Sequence, residues 1–524
     1  MEYKAVLARN RCLYLIVRFA ITLVSALFVV AYNSALATEK NKPNIVFILA
    51  DDLGYGDVGC YNPDSKIPTP CLDRLASQGV RFTDAHDPSA VCTPTRYSIL
   101  TGRYCWRSRL KRGVLEPFAL PLIEQGRLTV PELLKSQGYV TAAFGKWHLG
   151  FEWPTVDGKP PEKNGSNVDY TRPIEQGPTT RGFDYFFGQD CPNYPPYTFI
   201  GNDRTIGLPT IPLLVKELEK NPAFGPIDCR SGTMAPGWDM TKILPTLTDK
   251  VVKYIEQIGN RSQRQPFFLY FALTGPHTPI VPSPEFQGSA NAGPYGDWVR
   301  QNDAAVGRVL DTLDRAGLAD DTLVIVTSDN GPERFAYDRI RRHGHYSMGD
   351  LRGVKRDRWE GGHRVPYIAR WPEKIKPGSI NDEVISNVDL LATCAALVGA
   401  ELPDNAGEDS YNILPALLGK KPAAPIREAT VMHSCNGRFA IRQGPWVLID
   451  ASAGGDNREP QWFKEERGYP PDEFPGELYN LDDDPSQRKN LYGDRPEIVR
   501  KLHDLLEKYK REGRSRPKSE ALFK

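Results

Sequence analysis

Four stretches of the chain are apolar without alternation. Residues 44–50 read Asn-Ile-Val-Phe-Ile-Leu-Ala, 139–144 Tyr-Val-Thr-Ala-Ala-Phe, 267–273 Phe-Phe-Leu-Tyr-Phe-Ala-Leu and 322–327 Thr-Leu-Val-Ile-Val-Thr. Continuous β-branched and aromatic runs predict strands buried on both faces, as in a sheet covered by helices. Helical periodicity lies between them. Over 298–316, Trp298, Ala305, Val306, Val309, Leu310 and Leu313 share one face, and Gly317 is the expected stop. A shorter helix is predicted over 130–137 with Thr129 as its N-cap. Strands alternating with helices predict an α/β architecture.

Each run ends in polar residues: Asp51-Asp52, Gly145-Lys146-Trp147-His148, Gly275-Pro276-His277 and Ser328-Asp329-Asn330-Gly331. Ligands of open α/β sheets bind beyond the carboxyl ends of the strands. If the four strands run parallel, one edge collects carboxylates, an amide, a lysine and two histidines. Taken singly, Asp-Asp and Asp-Asn-Gly also serve as turns that close strands. Their joint occurrence, beside Lys146, His148 and His277, favours a site. Asp51, Asp52, Asp329 and Asn330 offer only oxygen donors, which suits a hard divalent cation; Ca²⁺ is favoured and Mg²⁺ stays open.

Lys4, Arg9, Arg11 and Arg18 precede an apolar run, Phe19 to Tyr32, followed by Ala35-Leu36-Ala37. A basic segment, a short apolar stretch and an A-x-A site predict a secretory signal peptide over 1–37; the run is too short for a membrane anchor. The mature chain is then exported, periplasmic or secreted (lysosomal or extracellular in a eukaryote), and does not span a membrane. Lys+Arg number 66 and Asp+Glu 65. Loss of the signal removes four basic residues and one acidic one, leaving a formal charge of −2. Near-neutral charge gives no footprint for nucleic acid. The 45 glycines and 45 prolines exceed the usual share without a G-X-Y period, which predicts many ordered loops. Eight of nine cysteines remain in the mature chain, with no CxxC or CxxH zinc spacing. In a chain this long any disulfides are accessory to the core. Asn164 and Asn260 begin glycosylation sequons that matter only in a host that glycosylates.

Between the first two strands lies Cys92-Thr93-Pro94-Thr95-Arg96. Pro94 fits the first turn of a helix, with Thr93 as cap and Gly102 as end. Cys92 then lies just before a helix N-terminus, where the dipole favours a thiolate, with Arg96 beside it. A nucleophilic cysteine and a disulfide-bonded one are both open on this ground.

These five residues resemble the C-x-P-x-R signature of type I sulfatases. Asp51-Asp52, Gly145 to His148, Gly182-Phe183-Asp184, Pro276-His277, Ser328 to Gly331, Arg352 to Lys355 and Trp359 to Gly362 match in order. The resemblance runs from about Lys42 to Glu477-Leu478-Tyr479-Asn480-Leu481. It implies an alkaline phosphatase-like fold: a large, mostly parallel mixed sheet sandwiched by helices, plus a small C-terminal antiparallel sheet with a packing helix. It implies hydrolysis of a sulfate monoester to alcohol and sulfate, with Cys92 oxidised to formylglycine by a formylglycine-generating enzyme. One hydroxyl of the hydrated aldehyde attacks sulfur; loss of the proton from the second expels sulfate. Asp51, Asp52, Asp329, Asn330 and residue 92 would hold Ca²⁺. Arg96 and Lys146 would stabilise the nucleophile and sulfuryl oxygens, His277 and Lys355 would serve the leaving oxygen, and His148 would be the base that regenerates the aldehyde.

The chain departs from the family pattern at Thr95, at Arg356-Asp357-Arg358 and at His363. Those charges are expected near the mouth of the site, either binding an anionic substrate or lying in a solvated loop; Arg341-Arg342-His343-Gly344-His345 is read the same way. Phe183 to Phe187 are expected in the core and Tyr194 to Phe199 in a loop facing substrate. A Lys420 to Pro425 linker divides a catalytic domain, 38–422, from a C-terminal α+β subdomain, 423–524. In the latter, Phe439 to Ile449 and Glu477 to Leu481 are predicted strands and Arg495 to Tyr509 a helix. The substrate expected is a sulfated carbohydrate. A phosphonate monoester or phosphodiester hydrolase of the same superfamily is the alternative, and an inactive calcium-binding scaffold a more distant one.

Overall fold

The computed structural model describes residues 42–262, 265–471 and 473–518. The expected signal peptide lies outside the described residues. Ten strands form the main sheet: β1 (Asn44–Asp51), β2 (Val80–Phe82), β3 (Val140–Lys146), β4 (Tyr185–Gln189), β5 (Phe199–Gly201), β6 (Arg204–Ile206), β7 (Phe267–Pro276), β8 (Thr322–Ser328), β9 (Tyr367–Arg370) and β10 (Ser379–Asn381). Their order is β10-β2-β9-β8-β1-β7-β3-β4-β5-β6. The central five, β8-β1-β7-β3-β4, are all parallel, while β9 and β5 run antiparallel to their central neighbours. The four predicted strands are therefore adjacent and point the same way, so their carboxyl ends share one edge.

Both faces of the central strands are covered, which is why their sequences do not alternate. Ile45, Phe47 and Leu49 pack with Ile99, Leu100, Leu133 and Leu391 on one side. Val46 and Ile48 pack with Leu247, Val251, Val306 and Leu310 on the other. The helix predicted over 298–316 runs from Gly293 to Arg315, extended at its start by Pro294 in the first turn. Thr129 caps the helix Val130–Ser136 through a reciprocal pair with Glu132.

The helix after Cys92 differs from expectation. It spans Cys92–Thr101 with Val91 as N-cap, and Gly102, in the left-handed region, ends it. Thr93 does not cap because its hydroxyl is used elsewhere: it donates to His148 O (3.1 Å) and accepts from Leu115 N (3.2 Å). Cys92 is thus the first residue of the helix rather than the residue before it.

The smaller sheet is antiparallel, with strands Thr430–His433, Phe439–Gln443, Trp446–Ile449 and Glu477–Asn480. The helix Pro496–Glu512 packs Leu502 and Leu506 against its Val431, Ile441, Leu448 and Leu478. No helix among the described residues is long and apolar enough to cross a membrane. The eight described cysteines are all free thiols.

Candidate active site

At the carboxyl edge of the sheet, Asp51, Asp52, Cys92, Arg96, Lys146, His148, His277, Asp329, Asn330 and Lys355 are all buried. Strand geometry delivers most of them. Asp51 ends β1; Asp329 and Asn330 follow β8; Lys146 ends β3 and His148 lies two residues beyond; His277 follows β7. Gly145 makes the approach tight: at φ +96° its position for a Cβ lies 1.7 Å from Ala272 O, so any larger residue would push β3 off β7. Asp52 and His148 take positive φ values of 68° and 52°, and such backbone costs about 1–3 kcal/mol per residue. Strain therefore falls on two of the residues that the strand ends aim inward.

Ion pairs knit the cluster. Lys146 Nζ lies 2.7 Å from Asp51 Oδ2, and Lys355 Nζ lies 2.7 and 2.9 Å from the two Asp52 oxygens. Arg96 grips Asp329 Oδ2 through Nε (2.9 Å) and Nη2 (2.7 Å) and stands 3.6 Å from Asp51. Asn330 Nδ2 donates to Asp52 Oδ1 at 2.7 Å. Burial alone would raise the Asp51 pKa, but Lys146, His277, Arg96 and Lys355 together hold it far below the carboxylate range. Asp329 goes the other way, to about 6, because burial and the charge of Asp51 outweigh Arg96. Burial likewise opposes a Cys92 thiolate, yet Lys146, Lys355 and a hydrogen bond with His277 bring its pKa below the ordinary thiol value.

Two buried oxygens of the cluster have no hydrogen-bond partner: Asn330 Oδ1 and Asp51 Oδ1, the latter 3.6 Å from Arg96 Nη2. A buried acceptor left alone costs about 1–3 kcal/mol, so the arrangement favours something that accepts their lone pairs. One ligating atom from each of Asp51, Asp52, Cys92 and His277 lies within 4.8 Å of the others. Asp329 is more fully engaged, by Arg96 and by the Asp52 amide (3.2 Å). The donors present fit a hard cation.

The histidines are set in distinct states. His148 Nε2–H donates to Leu115 O (3.1 Å), which leaves Nδ1 bare, buried and unpartnered. Burial, then the charges of Lys146 and Arg96, hold its pKa well below the usual imidazole value. His277 Nδ1–H donates to Thr278 O (2.5 Å), leaving Nε2 3.9 Å from Asp52 Oδ2. Although burial lowers its pKa, Asp51 raises it above the usual value.

Cys92, His148, His277 and Lys355 line a cavity of about 330 Å³ with Tyr194, Arg230, Glu333 and Arg356. A larger cavity, about 820 Å³, opens between residues 382–384 and the small sheet, but none of the site residues lines it. Of the charges expected at the mouth, only Arg356 lines the cavity. Asp357, Arg358 and His363 are completely buried, held by partners from 434 to 457 and from His86. Arg341, Arg342 and His343 end a surface helix and do not reach the cavity, while His345 is buried on Asp57 (2.7 Å). Phe183, Phe186 and Phe187 are core residues, and Tyr194 faces the cavity edge-on to His148 at 5.4 Å.

Sequence reasoning passed over Asp190, Arg230 and Glu333. Asp190 is detectable by the same rule that found the others, since it follows β4, and burial lifts its pKa to about 7. Arg230 carries no strand-end signal; it reaches the cavity from a loop, its guanidinium over the Tyr194 ring at 4.6 Å.

A strand-end cluster of this composition, on a mixed sheet with a small antiparallel annex, defines a sulfatase-type hydrolase. The Sulfatase family model matches residues 43–400, and the chain belongs to that family. It is 36% identical over 506 residues to an N-acetylgalactosamine-6-O-sulfatase of Bacteroides thetaiotaomicron, covering 90% of this chain and 94% of that one. It is also 36% identical to human arylsulfatase A, covering 91% and 89%. A solved sulfatase structure concerned with glycosaminoglycan metabolism by Bacteroides thetaiotaomicron superposes with a TM-score of 0.76 at 34% identity, over 90% of this chain and all of that one. The protein is a sulfuric ester hydrolase, and the phosphodiesterase alternative is not favoured.

Proposed function

We propose that this sulfatase hydrolyses a sulfate ester of a saccharide, using residue 92 as formylglycine and a Ca²⁺ ion held by Asp51, Asp52, Asp329, Asn330 and residue 92. The observation that carries the reading is the position of Cys92: first residue of a buried helix, facing the cavity among Lys146, Lys355 and His277. When bound, the cation supplies a Lewis acid for the sulfate oxygens. The hydrated aldehyde supplies two hydroxyls, one for attack on sulfur and one whose proton must later leave.

The chain's own residues do the rest. Arg96, locked on Asp329, and Lys146, locked on Asp51, present fixed positive charge to the nucleophile and the sulfuryl oxygens without reorganising. His277, with Nδ1 tied to Thr278 O, directs Nε2 to the leaving oxygen, and Lys355 stands beside it to neutralise developing charge. His148, neutral and with Nδ1 bare, takes the proton of the second hydroxyl. A cavity of about 330 Å³ suits the small end of the ligand-pocket range, one sugar unit rather than a chain. The names of the relatives make 6-O-sulfated N-acetylhexosamines the first saccharides to try.

The test has two arms. Mass spectrometry of the Cys92 peptide from the native host should show sulfur and two hydrogens replaced by one oxygen; an intact thiol would overturn the mechanism. A panel of defined sulfated saccharides and a phosphodiester should give turnover on a saccharide sulfate; higher kcat/KM on the diester would overturn the substrate. The same reading makes the protein an exported one, matured by a formylglycine-generating enzyme, and N-terminal sequencing of the exported form should begin after residue 37.

A further inference from the structure

A second polar cluster is buried away from the catalytic cavity. His86 lies in the short strand Ala85–His86, and Glu360 and His363 begin and end a four-residue helical turn. All three are completely buried. His86 Nε2 lies 2.6 Å from Asp84 Oδ1, and His363 Nε2 lies 3.0 Å from Arg358 O. Asp84 also accepts from Arg442 at 2.6 Å through each oxygen, and its pKa is well below the ordinary range because Arg364, His86 and Arg442 overcome burial. A carboxylate and a carbonyl only accept, so each Nε2 carries hydrogen; at His86 the 2.6 Å contact with Asp84 prevails over the longer one, 3.0 Å, with the Arg442 Nη1 donor. A neutral imidazole protonated at Nε2 has a lone pair at Nδ1. The two Nδ1 atoms nevertheless face each other at 3.1 Å.

Two facing lone pairs repel unless a cation lies between them. A shared proton would engage two nitrogens only and would leave Glu360 Oε1, which is buried without a partner, still unsatisfied. A metal ion between the Nδ1 atoms would draw on Glu360 as well, whose carboxylate approaches the His86 ring, 4.0 Å from its Nε2. One ligating atom each from His86, Glu360 and His363 lies within 4.8 Å of the others. Two metal–imidazole bonds of about 2.0–2.1 Å place their nitrogens about 2.9 Å apart at a right angle and about 3.3 Å apart at a tetrahedral one, bracketing the observed spacing. The groups behind the rings, a carboxylate on one Nε2–H and a carbonyl on the other, are those that orient metal-binding histidines.

We propose that His86 Nδ1, His363 Nδ1 and the Glu360 carboxylate bind a divalent transition-metal ion, Zn²⁺ by the donor set. The ion has a structural task. Asp87 N donates to His363 O at 2.8 Å, and residues 87–91 lead directly into the helix that begins at Cys92. A metal at His86 and His363 fixes that lead-in, so these histidines are positioning residues for the nucleophile. The site shares no donor with the cation proposed on Asp51, Asp52, Asp329, Asn330 and residue 92.

Metal analysis of the full-length protein decides the matter. Protein produced with Zn²⁺ available and dialysed against a calcium chelator should retain about one equivalent of zinc per chain, as should the Asp51→Asn variant. His86→Leu and His363→Leu should each retain several-fold less. Cobalt-loaded wild type should show the visible absorption of a low-coordinate imidazole–carboxylate site. Less than about a tenth of an equivalent of any transition metal in the wild type would overturn the proposal without recourse to a variant, and a shared proton would then account for the pair. Equal zinc in wild type and both histidine variants would overturn it too.

Discussion

Arg352 and Lys355 are three residues apart, yet they belong to buried charge clusters built on opposite rules. Around Arg352 the buried charges are all used, although Tyr469 Oη and Gln487 Nε2 are not. Its guanidinium bonds Glu459 (2.7 Å), Tyr479 and Gln487 O and lies over the rings of Trp359 (3.7 Å) and Tyr469 (4.1 Å). The neighbouring Glu477 accepts from Trp359 Nε1 (2.7 Å), Tyr479 Oη (3.0 Å) and Gly454 N (2.9 Å). Around Lys355 groups are withheld: Asp51 Oδ1, Asn330 Oδ1 and His148 Nδ1 are buried with no hydrogen-bond partner. A cluster that only holds the fold can close on itself; one that must receive a ligand keeps acceptors open and relies on its surroundings to tolerate the cost.

The sharpest way to break this distinction is at Cys92, the proposed nucleophile. Cys92→Ala should lower kcat on a saccharide or aryl sulfate by about 10³ or more, with a melting temperature within about 3 °C of wild type. Activity near wild type would remove Cys92 from the chemistry. Withdrawal of the cation should cost less, because the charges of Arg96 and Lys146 persist: chelation followed by dialysis should reduce turnover by about 10²-fold or more, with recovery on adding Ca²⁺. Failure of any divalent ion to restore activity would mean that the unpartnered oxygens have another purpose. The closed cluster should respond in reverse. Arg352→Ala strands Glu459 in the interior and should destabilise the protein by about 3–5 kcal/mol, read as a fall in the denaturant midpoint, while the folded fraction keeps its kcat within about threefold. A catalytic loss without destabilisation would place Arg352 on the wrong side of the comparison.

What the sequence disclosed follows the same division. The four parallel strands were legible because burial on both faces leaves unbroken apolar runs, and their ends were legible because Asp51-Asp52, Lys146, His277 and Asp329-Asn330 follow them within a few residues. Arg230 and Glu333 were not, since they reach the cavity from loops whose course depends on tertiary contacts. Arg358 and His363 misled for a related reason. Sequence shows their charge but not the partners, Asp456 and Ser434 for Arg358 and His86 for His363, that draw them inside. Thr93 illustrates the limit of local rules: a good capping residue failed to cap because His148 and Leu115, distant in sequence, use its hydroxyl.

Glu333 borders the Lys355 cluster and gives the finest test. It lines the catalytic cavity, yet its Oε1 accepts from Arg356 Nη1 (2.6 Å) and from Arg334 N (2.8 Å), and Oε2 stands 3.9 Å from Lys355. Burial raises its pKa, but Lys355 and Arg356 overcome this and bring it to about 2 from an ordinary 4.5. Because the folded value is depressed, the carboxylate contributes stability above pH 4.5 and loses it as the pH falls toward 2. Glu333→Gln should therefore be less stable than wild type by about 1–2 kcal/mol at pH 7, and the two proteins should converge as unfolding is measured at successively lower pH. A constant gap between pH 7 and pH 3 would show that the charge of Glu333 adds nothing to the fold. Glu333 would then belong to the open cluster, leaving Lys355 neutralised by Asp52 alone.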